Sequence, residues 1–142
     1  MILADGNVLL GKGDPTPKDW RWPHFLPTEL RCKCGCETMQ MQVRFLDLLE
    51  GSRLVTGFAW PITSGYRCMD YERDDSIKGS GLHHPKGGAV DTALTFAQAS
   101  RVVSLAEGLG FTGLGIKAHG PTHKRLVHLD ITHTVWTVWT YE

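Results

Sequence analysis

The 142-residue sequence has no surplus of charge of either sign: fifteen Lys and Arg balance fifteen Asp and Glu. It therefore lacks the basic footprint of a nucleic-acid binder or of a domain that docks on an anionic membrane, and neither is expected as a partner. No apolar run approaches the roughly 20 residues needed to span a bilayer. The opening "MILADGNVLLGKGDP" has no basic stretch ahead of its short apolar runs, so no Sec signal or membrane anchor is expected, and any export would take another route. Internal repeats and low-complexity tracts are also missing. Cysteine is sparse and oddly spaced: Cys32, Cys34 and Cys36 in "RCKCGCE", and Cys68 in "GYRCMD". The paired CxxC of a zinc ribbon is absent, which argues against a four-cysteine zinc site and against a ribbon-like nucleic-acid binder. Small buried thiols, or one disulfide joining the first cluster to Cys68 outside a reducing cytosol, fit the spacing better.

What is present fits one domain with a core of its own. Pro15, Pro17, Pro23 and Pro27, with Trp20 and Trp22 among them, suggest an irregular arm packed by its aromatics, because prolines this dense interrupt both helix and sheet. The arm is placed at residues 1–24 and the domain at 25–142. From Thr38 to Gly51 apolar residues recur at mixed spacing, and the later part fits an amphipathic helix. "FAWPITSGYRC" reads as a short strand entering a loop, and "MDYERDDSIKGSG" as a polar loop. Thr95 and Gln98 have the spacing of a capping box, followed by the apolar face of Val102, Val103, Leu105 and Ala106, with Gly108 and Gly110 to stop the helix. "FTGLGI", "RLVHLDIT" and "TVWTVWTY" read as strands. The expectation is an α+β fold with a small antiparallel sheet flanked by helices.

Catalytic zinc takes three protein ligands, imidazoles with or without a carboxylate, and keeps one position open. In "GLHHPKGGAVDTAL", residues 81–94, His84 and Asp91 flank a glycine pair that permits a tight backbone path. In "LVHLDI", His128 and Asp130 lie two apart and so share one face of a strand. A loop His, a strand Asp and a strand His could converge on one ion. Equally, a lone strand His serves as a satisfied core residue, and an Asp after glycines as a turn former.

The ordered segments "ITSGYRC", "HHPKGGAVD" and "LVHLD" resemble the peptidase M15 family, the zinc D-Ala-D-Ala carboxypeptidases and related peptidoglycan endopeptidases. That family includes phage endolysins and shares its fold with the hedgehog signalling domain. "FLPTELRCKCGC", residues 25–36, is similar to a segment that precedes them in one subgroup. The resemblance implies a hedgehog/DD-peptidase-like fold and a Zn2+ ion held by His84, Asp91 and His128, with His83 as a neighbour out of register. It also implies that Arg67 binds a substrate carboxylate or carbonyl and stabilises the oxyanion; otherwise Arg67 is a surface residue pairing with Asp70, Glu72, Asp74 or Asp75. Two positions depart from the pattern. Leu82 replaces a serine, and Arg125 stands where many relatives carry the acid that serves as general base. Arginine cannot be a base. That role passes to His123, whose imidazole titrates near neutrality, or to Asp130, which otherwise orients an imidazole. The implied function is a zinc-dependent peptidase cutting a bond of the peptidoglycan stem peptide or cross-link, in phage lysis or on a virion, with phage structural proteins as further partners. The alternative is an inactive, zinc-stabilised binding module of a larger assembly.

Overall fold

A computed structural model describes residues 6–72, 84–117 and 126–141. The chain opens with a strand, β1 (Asn7–Leu10), antiparallel to β2 (Met39–Gln42) with Val8 opposite Met41 and Leu10 opposite Met39. These four side chains are buried, so the stretch expected to be irregular supplies one strand of a two-stranded ribbon. The strand forms because Asn7–Leu10 precedes the prolines; residues 11–24, which hold three of them, form neither helix nor strand. The aromatic packing expected of this segment is present. Trp22 and Phe25 are buried, Trp20 Nε1 donates to the carbonyls of Trp22 and Phe25, and Trp22 Nε1 donates to Asp47 at 2.8 Å.

The mixed spacing after Thr38 resolves into two periods. Met39 and Met41 alternate with half-buried Gln40 and Gln42 in β2, and helix α2 (Val43–Thr56) follows at once, burying Phe45, Leu46 and Leu49. Gly51 does not end the helix, which continues to Thr56. Short helices α1 (Pro27–Leu30) and α3 (Met69–Glu72) lie in segments without helical periodicity, the second in the expected polar loop. Helix α4 (Phe96–Leu109) starts as the capping box requires: the Gln98 amide donates to Thr95 Oγ1 and the Thr95 amide to Gln98 Oε1. Gly110, in a left-handed conformation, ends it.

The main sheet contains β3 (Ile62–Ser64), β4 (Ala89–Ala93), β5 (Gly113–Lys117), β6 (Leu126–Asp130) and β7 (Thr137–Thr140), in the order β3-β4-β6-β5-β7. Three of its pairings are antiparallel, but β5 and β7 are parallel, which corrects the expectation of a wholly antiparallel sheet. The reason is local. Residues 131–136 carry the chain from the end of β6 around the start of β5, where the Thr112 amide donates to the Asp130 carbonyl and the Thr137 amide to the Thr112 carbonyl. One face of the sheet supplies Val90, Leu114, Val127 and Leu129 to the core, packed with residues of α2 and α4. Strand alternation then sends Asp91, His128 and Asp130 to the other face. No helix among the described residues is long and apolar enough to cross a membrane.

Candidate metal centre

Asp91 on β4 and His128 on β6 are direct cross-strand partners, so the sheet ladder fixes their separation. His84 reaches them from a single 3-10 turn, His84–Lys86, that ends in Gly87. Gly87 has φ +72°, and a Cβ there would run into the Gln40 carbonyl of β2. Only glycine satisfies both conditions, which explains the first glycine of "KGGAVD".

All three side chains are buried. His84 Nδ1 lies 2.8 Å from the Gly65 carbonyl. A carbonyl only accepts, so Nδ1 carries the proton and, in the neutral ring, Nε2 presents a lone pair. Among the described residues that Nε2 makes no hydrogen bond, and Asp91 Oδ1 lies 3.5 Å from it. Two electron-pair donors thus face each other in a dry place, an arrangement that a cation resolves. His128 shares the same oxygen, with Nδ1 3.0 Å from Asp91 Oδ1. One ligand atom from each of His84, Asp91 and His128 falls within 4.8 Å of the others. Two imidazole nitrogens and a carboxylate oxygen form a donor set suited to zinc.

The surrounding residues hold this set in place. His128 Nε2 is 2.8 Å from Asp130 Oδ2, so a carboxylate takes the far N–H and leaves Nδ1 for the ion. Asp130 Oδ1 is in turn bound by His133 Nδ1 at 2.8 Å and by the Thr132 amide at 2.9 Å. Arg67 Nη2 donates to Asp91 Oδ2 at 2.8 Å, and its Nε donates to Ser64 Oγ at 2.8 Å. Burial alone would raise the Asp91 carboxyl, but the His128 hydrogen bond and the neighbouring His84 imidazole hold it well below the ordinary range. Asp130 is likewise pushed up by burial and drawn down further by its bonds from His128 and His133. For His128, burial disfavours the charge, yet Asp130 and Asp91 on its two nitrogens raise its pKa above the usual value.

The sheet brings together five of the six residues singled out in the sequence: His84, Asp91, His128, Asp130 and Arg67. The sixth, His123, lies outside the described residues, as do Leu82, His83 and Arg125. Sequence reasoning overlooked His133, whose place three residues after Asp130 in "HLDITH" was the available signal. On the edge strand β7, the Trp139 ring stands 5.2 Å from both His128 and His133, and lies over β5 because Gly115 has no side chain: a Cβ there would sit 2.7 Å from the indole nitrogen.

A family model described as Peptidase M15 matches residues 23–130, which include each of these residues except His133 and Trp139. The chain belongs to the peptidase M15 family. Membership supports a peptidase, and zinc dependence is the general character of M15 enzymes. No curated protein and no solved structure matches the chain.

Proposed function

We propose that this M15 protein is a zinc peptidase that hydrolyses a peptide bond in the stem peptide or cross-link of peptidoglycan, in phage lysis or on a virion. The supporting observation is the buried group of two imidazoles converging on one carboxylate oxygen, with His84 Nε2 lacking a hydrogen bond among the described residues. His84, Asp91 and His128 would hold the zinc, which would supply Lewis acidity for a carbonyl and for water near neutral pH.

The protein's own groups have separate tasks in this reading. Asp130 keeps the His128 Nε2–H engaged and so aims Nδ1. Arg67 holds Asp91 Oδ2 and carries the guanidinium that receives a substrate carbonyl or carboxylate, where developing negative charge needs paired donors. His123 takes the proton from the attacking water and returns it to the leaving amine, the part that Arg125 cannot play. Trp139 covers the imidazole side of the site and keeps bulk water from it.

Digestion of purified peptidoglycan by the zinc-loaded protein, followed by mass measurement of the released fragments, tests the proposal. New peptide termini that disappear with chelator and return with zinc are expected. Bound zinc with no fragment released from any cell-wall preparation would replace the enzyme with a zinc-stabilised binding module.

A further inference from the structure

The four cysteines, distant from a ribbon in their spacing, come together in space. Cys32 follows α1, and its amide donates to the Thr38 carbonyl at 2.8 Å, closing the loop 32–38. Within that loop Gly35 and Glu37 both have positive φ, 109° and 53°, and the chain curls around its own thiols. Cys68 arrives from the other side, on the segment that the Tyr66 amide ties to the Leu30 carbonyl at 2.9 Å. The four Sγ atoms lie within 4.8 Å of one another, and all four cysteines are free thiols. CxxC pairs are one way to converge four sulfurs; a curled CxCxC loop closed by a distant cysteine is another.

We propose that Cys32, Cys34, Cys36 and Cys68 form a second metal site, a tetrathiolate that holds structural zinc. A tetrahedral Zn–S length of about 2.3 Å sets sulfur–sulfur edges of about 3.8 Å. The Cys34–Cys68 separation is 3.6 Å, already such an edge. Only Cys32 is buried; Cys34 is exposed and the other two are half-buried, so apolar packing does not account for the gathering of the thiols. The neighbours suit thiolates: the Cys68 amide donates to Cys32 Sγ at 3.4 Å, and Thr38 Oγ1 lies 3.1 Å from Cys36 Sγ.

The site stands independently of the peptidase reading, yet it bears on the active centre through the chain. Cys68 is the residue after Arg67, whose guanidinium holds Asp91. The tetrathiolate thus anchors the strand exit that aims the arginine, and replaces apolar core in a loop that has little.

Metal counting separates the two centres. The His84→Ala/His128→Ala variant, purified reduced, is expected to retain one zinc ion per chain. Loaded with Co2+ it should show the intense d–d absorption and sulfur-to-cobalt charge transfer of a tetrahedral thiolate site. In the unaltered protein an organomercurial should release that same ion, and Cys34→Ser/Cys68→Ser should lower the stoichiometry by one. A folded, reduced histidine variant without thiolate–cobalt bands would overturn the proposal. So would a protein isolated from zinc-containing medium whose mass shows the thiols paired as disulfides in place of the metal.

Discussion

The histidine–aspartate centre and the cysteine cluster are built on opposite principles. The first sits on neighbouring strands: Asp91 faces His128 across the β4–β6 ladder, and Asp130 shares the strand and face of His128. The second sits where regular structure is scarce, on a curled loop and the residue after Arg67. In the first, backbone hydrogen bonds set the geometry before any ion arrives, which is what a reactive centre needs in order to keep a position open. In the second, the side chains themselves must supply the cohesion, which is what a structural ion is for. Removing metal should therefore silence one region and loosen the other.

The comparison breaks most visibly with His128→Ala. This change should abolish peptidoglycan cleavage and remove one zinc ion, measured by fragment release and metal content, while the cysteine-bound ion stays. Gly113→Ala comes next. Its Cβ would be driven into the Asp130 carboxylate and His133, because Gly113 is the cross-strand partner of Asp130. A loss of about 1–3 kcal/mol is expected in denaturant unfolding, together with weakened zinc binding. Asp130→Asn keeps the shape but gives His128 a neutral neighbour; competition with a chelator should show zinc held about 10–100-fold less tightly at the histidine centre only. The smallest effect belongs to a residue outside both clusters. Thr95→Ala removes the α4 cap and should cost about 1 kcal/mol in thermal or denaturant unfolding, with metal content unchanged. Equal loss of both ions in Asp130→Asn would show the two regions to be one cooperative unit.

The same contrast explains what could be read from the sequence. Alternation in "LVHLDI" and the capping box at Thr95 are local signals, and the structure follows them. The glycine pair before Asp91 was legible as a tight path, although the contact that demands it, with the Gln40 carbonyl, comes from a strand more than forty residues away. The parallel β5–β7 pairing was not legible, because it depends on residues 131–136 rounding the start of β5, and with it went the roles of His133 and Trp139. The gathering of the four cysteines was not legible for a related reason. Their spacing was compared with hairpin ribbons, whereas positive φ at Gly35 and Glu37 lets a single loop present three thiols to a distant fourth. Met39 and Met41 show the milder case, in which two periods ran together until β2 and α2 separated them.

Anomalous diffraction at the zinc absorption edge, from crystals of the zinc-loaded protein, tests the central claim most directly. One peak is expected among His84 Nε2, Asp91 Oδ1 and His128 Nδ1, and a second among the four sulfurs. Density confined to the sulfurs, with His84 Nε2 still bare beside Asp91, would contradict the zinc peptidase centre.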